Sequence, residues 1–189
     1  MVGSRNKVNG VAMPPPIKVE LLPHDPGWAS RAAAESRVLA AVIGPGVTAI
    51  HHVGSTAIPE IRAKPILELM PVLARHADLE RRRAEIEAIG YVWHGEYGLP
   101  GRRYCTKSDA VTGARLVHLH CYEDRHPDIA RTLAFRDYLR THREIAAAYE
   151  AEKLRCQCLH VDSSHAYADC KSGWIKKTEA DALRWCAAR

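Results

Sequence analysis

The chain has 189 residues, 47% of them hydrophobic, and a formal net charge of +5 at pH 7. That apolar content is enough to bury a full core as a single domain, and no apolar run approaches the roughly 20 residues a membrane-spanning helix needs. Its basic residues (Arg81-Arg82-Arg83, Arg102-Arg103, Lys176-Lys177) are scattered and mostly interleaved with acidic ones, without a long basic arm, which argues against nucleic acid as the partner.

In chain order, the opening MVGSRNKVNGVAMPPPIKVE lacks an apolar signal core, so a soluble, cytoplasmic protein without a membrane partner is expected. Pro14-Pro15-Pro16 predicts a lead-in over 1–16, outside a single folded domain over 17–189. Alanines and apolar residues at helical spacing predict a helix over 28–42, stopped by Gly44-Pro45-Gly46. The β-branched run 47–53 reads as a strand and 56–61 as a short helical or turn segment limited by Pro59. The nearly continuous apolar run 65–73 reads as a strand buried on both faces. Residues 78–89 read as a helix with Asp78 as N-cap and Gly90 at its end. Strands are expected at 91–94, 103–107 and 116–122, with the turn-rich GEYGLPG between the first two. Helices are expected over 129–142, 144–156 and 167–187. The whole is an α+β (α/β mixed sheet) protein with a helical C-terminal third.

Six cysteines without a secretory signal argue for reduced thiols. Cys156, Cys158 and His160, with His165 and Cys170 following, invite a metal check. A C-x-C pair is tighter than structural zinc sites use, so no zinc is assigned.

The chemistry concentrates in HHVGSTAIPEIRAKPILELM, residues 51–70. A strand ending in Gly54-Ser55 and turning into a helix leaves amides pointing outward, which favours an anion. Gly54, Ser55 and Thr56 would then cradle phosphate, although Gly-Ser-Thr is also an ordinary turn and cap. The strand period puts Lys64, Ile66, Glu68 and Met70 on one face. Burying Lys64 and Glu68 is costly without partners. Either they form an ion pair, or Glu68 holds a divalent cation that bridges a nucleotide's phosphates.

This stretch resembles the signature of the GrpB family and the active-site grammar of polymerase-β-like nucleotidyltransferases. GEYGLPGRRY, HLHCYE, LAFRDYLRTHREIAAAYEAEK and YADCKSGWI extend the resemblance over most of the chain. The family is also similar to the C-terminal part of some dephospho-CoA kinases. The resemblance implies a nucleotidyltransferase-like fold, an Mg²⁺ ion at Glu68 and a nucleoside triphosphate donor whose nucleoside monophosphate passes to a small acceptor. It further implies roles for His118 and His120 on the substrate side, and for Lys153 and Lys171 at the phosphates. Glu96 would be a further metal ligand or a solvated loop residue. Arg103, in register with Lys107, is the expected phosphate-binding guanidinium, Arg102 pointing to the other face. Arg136 is a phosphate ligand or a surface partner of Asp137. Two departures stand out: the family usually has aspartate at Glu68 and glycine at Glu60. The broader superfamily also wants a second carboxylate where this chain has Met70. The alternative to transfer is therefore a degraded module that binds a nucleotide or CoA-like phosphate.

Overall fold

The computed structural model describes residues 7, 8, 11, 12 and 16–189. Of the lead-in, only a two-residue antiparallel ribbon, β1 (Lys7–Val8) against β2 (Val11–Ala12), and Pro16 belong to it; the rest of that expectation lies outside the described residues. Helix α1 (Gly27–Ile43) precedes strand β3 (Val47–Val53), a 3-10 turn (Ser55–Ala57) and β4 (Leu67–Leu73). Short helices α2 (His76–Glu80) and α3 (Arg83–Ala88) lead to β5 (Tyr91–Trp93), β6 (Arg102–Ser108) and β7 (Arg115–Glu123). Three helices close the chain: α4 (Pro127–Thr141), α5 (Arg143–Leu159) and α6 (Ser164–Ala187).

The main sheet has the order β3-β4-β7-β6-β5. Only β4 and β7 run parallel, and α2, α3, β5 and β6 form the long crossover that a parallel pair requires. Alternation along β4 explains why it is apolar on both sides. Leu67, Leu69 and Leu73 pack with Leu119 and Cys121 against Trp28, Leu39 and Ile43 of α1 and Ile86 of α3. Met70 faces the other way, under Ile129 and Leu133 of α4 beside Val53 and Tyr122. The C-terminal helices cover that second face, where Ile58 and Ile61 meet Leu139, Ala146 and Tyr149.

The expected helix over 78–89 is two helices, broken between Glu80 and Arg83. Asp78 lies in the first turn of α2, where its carboxylate takes the Arg81 guanidinium, so it is not the N-cap. Side-chain caps appear instead at His126, which accepts from the Asp128 amide, and Ser163, which accepts from the Ala166 amide.

The expectation of reduced thiols fails at one pair. Cys156 of α5 and Cys170 of α6 are joined by a disulfide at a sequence separation of 14, and a loop of that length contributes about 3 kcal/mol through the unfolded chain. Spacing along the sequence gave no sign of this, because the two helices meet only after they fold back on each other.

Glu60 has a φ of +66°, in the left-handed region that suits glycine. Its carboxylate reaches Arg143, but both side chains are largely exposed, so that pair offsets little of the backbone strain. Glu60→Gly is expected to stabilise the fold by about 0.5 kcal/mol. Chemical denaturation reads this directly, and a lower midpoint would show that the ion pair outweighs the strain.

Candidate anion-binding site

β3 ends at Val53, directly opposite Glu68 of β4. Gly54 then turns the chain at a φ of +69°, and any Cβ placed there would overlap the Glu68 carboxylate. The glycine is thus required twice, by its backbone angle and by Glu68. Ser55–Ala57 follows as a single 3-10 turn, and the Ser55 and Thr56 amides bond no acceptor among the described residues. Thr56 is buried, its hydroxyl 2.9 Å from His52 Nε2, while the Ser55 hydroxyl donates to Tyr149 of α5 at 3.3 Å.

These groups open into a cavity of about 220 Å³ whose lining includes Gly54, Ser55, Thr56, Lys64, Glu68, His118, Lys153 and Lys171. Two tyrosine-lysine pairs at i, i+4 form its helical wall, a spacing that stacks side chains on one helix face. Lys153 lies 4.8 Å over the Tyr149 ring and Lys171 lies 5.4 Å over the Tyr167 ring. Lys64 approaches the same Tyr167 ring at 5.6 Å. Burial pushes the Lys153 amine down to about 7, with the Lys171 charge adding to the effect. Burial likewise lowers Lys64, where Glu68 opposes the shift and Lys171 adds to it.

Glu68 itself has no ion pair within 4.0 Å among the described residues, so the expected alternative of a direct Lys64–Glu68 pair is not formed. The other carboxylate lining the cavity, Glu179, is held by Arg131. Met70 is fully buried under α4, so the position two residues beyond Glu68 is part of the apolar core.

His118 pairs in register with Glu68 and lines the cavity. Burial holds its imidazole well below its usual range, with His120 and Lys64 adding to this. Burial also lowers His120 to about 4 despite the opposing charge of Glu68. Arg102 Nη1 lies 3.3 Å from His120 Nδ1. A guanidinium only donates, so Nδ1 accepts and Nε2 carries the proton. His120 is therefore neutral and offers a donor at Nε2, with no free lone pair with which to act as a base.

Several expected site residues lie elsewhere. Arg103 points to the opposite sheet face, bonded to Glu80 at 2.7 Å. Arg102, set aside on sequence grounds, faces the site side and is buried against Tyr97 and Tyr104. The strand begins one residue earlier than expected, and alternation could not say which face held the site. Glu96 accepts from the Gly101 amide at 2.8 Å and lies 3.8 Å from Arg103, closing its own loop away from the cavity. Arg136 donates to the His52 carbonyl at 3.1 Å and to Asp137 at 2.7 Å; it secures the end of β3. Tyr149 and Tyr167 were not singled out from sequence, although their i, i+4 lysines were the available signal.

Near the C-terminal wall, Glu152, Cys156 and Cys170 bring ligand atoms within 4.8 Å of one another. Cys158 and His160 are not part of that group. The Arg155 guanidinium contacts Glu152 and both sulfurs, and such a charge opposes a cation.

The fold and cavity define an α+β protein whose sheet is covered by helices on both faces, with a lysine-lined cavity at the β3–β4 turn. The chain belongs to the GrpB family, whose profile matches residues 18–181. It is 39% identical over 175 residues to UPF0157 protein YqkA of Bacillus subtilis, covering 93% of this chain and 50% of that protein. The chain thus spans about half the length of that relative. UPF0157 protein PA4798 of Pseudomonas aeruginosa is 34% identical over 88% of this chain and 68% of its own length. Among solved structures, a conserved GrpB protein from Enterococcus faecalis aligns with a TM-score of 0.81 at 34% identity, over 87% of this chain and 98% of that one. No described helix is long and apolar enough to cross a membrane.

The lowered histidines make a pH prediction. Folded His52 and His120 hold their protons only below about 4, whereas unfolded imidazoles bind them near 6.5. Between these values the unfolded state binds more protons, so stability should fall as pH drops from 6.5 towards 4. Thermal melts of wild type and His120→Gln across this range test it. The variant is expected to show the shallower decline, and identical slopes would remove His120 as a contributor.

Proposed function

We propose that the cavity binds the phosphate groups of a nucleotide-like small molecule together with one Mg²⁺ ion held by Glu68. The observation that carries this reading is the Glu68 carboxylate set against Gly54, which, like the Ser55 and Thr56 amides, has no partner among the described residues, beside three converging lysines. An anion would relieve the mutual repulsion of Lys64, Lys153 and Lys171, and the amides of Ser55 and Thr56 would donate to it. Mg²⁺ is commonly held by one or two carboxylates plus phosphate oxygens. Glu68 suits such an ion, which would neutralise phosphate charge; the Ser55 hydroxyl and bound phosphate would complete its surroundings.

A second reading, transfer of a nucleoside monophosphate from a triphosphate to a small acceptor, is supported by the placement of Glu68 immediately beyond the glycine turn. A two-metal form of that reaction does not suit the donor set, since Met70 is core and Glu179 is already held by Arg131. Release of pyrophosphate from ATP on addition of a small hydroxyl- or amine-bearing acceptor would favour transfer over binding alone.

Titration with ATP, with and without Mg²⁺, tests the binding reading. Wild type is expected to gain thermal stability with ATP and more with Mg²⁺. Glu68→Gln should leave the ligand-free stability within about 0.5 kcal/mol while losing the Mg²⁺-dependent part. A strongly destabilised Glu68→Gln protein that still responds to Mg²⁺ would assign Glu68 a structural role.

Lys153 supplies a further test. Its amine loses its proton near 7 in the folded chain, so affinity for sulfate, whose charge is constant here, should fall between pH 6 and 8. Lys153→Met should bind sulfate about tenfold more weakly at pH 6, through loss of one charge-assisted hydrogen bond. The variant should also lose the pH dependence. An unaltered pH profile in Lys153→Met would place the titrating group elsewhere.

A further inference from the structure

The disulfide lies outside the cavity lining but joins α5 and α6, the two helices that supply Tyr149, Lys153, Tyr167 and Lys171 to it. Cys156 follows Lys153 by one turn of α5, and Cys170 follows Tyr167 by one turn of α6 and immediately precedes Lys171. Cys156 and Tyr167 are buried together with Val19 and Leu21, and Cys170 packs against that cluster. The covalent tie therefore sets the separation of the two helices that carry the tyrosine-lysine pairs.

The same pair has the surroundings of a reactive thiol. Arg155 donates to Cys170 Sγ at 3.3 Å and to Cys156 Sγ at 3.5 Å, and a nearby guanidinium stabilises a thiolate. Cys156 is completely buried, whereas Cys170 is only half-buried, so an incoming thiolate reaches Cys170. The other cysteines have no such arrangement: Cys105 and Cys121 are buried with their thiols pushed up by desolvation, and Cys158 and Cys186 are exposed and unpaired.

We propose that Cys156 and Cys170 are a redox-active pair that gates the anion cavity. The disulfide holds α5 and α6 with Lys153, Lys171 and Tyr167 converged, and reduction lets the wall relax and weakens anion binding. The gating rests on the phosphate-binding reading of the same cavity. In reduction, the thiolate of a small thiol such as glutathione attacks Cys170 Sγ; the Cys156–Cys170 bond breaks and Cys156 leaves as a thiolate beside Arg155, then takes a proton. A second thiolate attacks the glutathione sulfur of the mixed disulfide, releasing Cys170 as a thiolate that is then protonated. Two electrons have passed from two thiols, which leave as one glutathione disulfide.

The test equilibrates the full chain in glutathione buffers of graded ratio, then follows thiol labelling by mass spectrometry and sulfate binding by calorimetry. Labelling of Cys156 and Cys170 is expected to appear together as the buffer becomes reducing, with sulfate affinity falling at least fivefold over the same range. Cys170→Ser should bind sulfate as the reduced protein does and show no redox dependence, while Cys158→Ser and Cys186→Ser keep it. Equal affinity of oxidised and reduced wild type would overturn the gating and leave the cavity reading standing. Absence of sulfate and ATP binding in both forms would overturn the cavity reading and the gating with it. Failure of Cys156 and Cys170 to pair in any buffer would overturn the gating whatever the affinity.

Discussion

The approach of Gly54 to Glu68 is the constraint on which the site depends. The β3–β4 register sets Val53 opposite Glu68, so the next residue must turn the chain across that carboxylate. Only a residue without a Cβ fits there at a φ of +69°. Once this turn is made, Ser55 and Thr56 line the cavity and Ser55 meets Tyr149 of α5. A single backbone angle therefore joins the sheet to the helical wall. The Arg136 bond to the His52 carbonyl secures the same turn from α4.

The charges around the cavity are unbalanced among the described residues. Lys64, Lys153 and Lys171 share it with one unpaired carboxylate, and desolvation already draws the Lys153 amine down to about 7. Removing ammonium groups from water costs several kcal/mol each unless they are paired. The two tyrosine rings beneath the lysines return part of that cost as cation–π attraction, and the Lys153 amine also donates to the Arg62 carbonyl. A bound anion would supply the remainder, which is how a strained ground state becomes a binding site.

The sheet divides labour between its faces. The α1 side is an apolar layer of Leu67, Leu69 and Leu119 against Trp28 and Leu39. The other side mixes Met70 and Tyr122 with His118, His120 and buried Arg102. Arg102 donates to the Glu96 and Tyr97 carbonyls and to His120. It thereby holds the β5–β6 loop down and fixes which nitrogen of His120 carries a proton. The substrate-side role expected for His120 is thereby narrowed to that of a hydrogen-bond donor.

Periodicity and turn residues were enough to place most helices and strands, because apolar alternation and glycine or proline stops act over a few residues. The same local logic picked out Gly54, Ser55, Lys64 and Glu68, which lie within fifteen positions of one another and converge once β3 and β4 pair. Glu60, the position where the family resemblance implies glycine, has a positive φ, the backbone angle that glycine adopts without strain. What local pattern could not decide was facing and distant approach. Alternation states that Arg102 and Arg103 point apart, but the choice between them waits on which side α4 to α6 cover. Glu96 turned inward to its own loop, and Cys156 met Cys170, for the same reason: partners across elements are chosen by packing of the whole chain, and spacing along it carries no record of that packing.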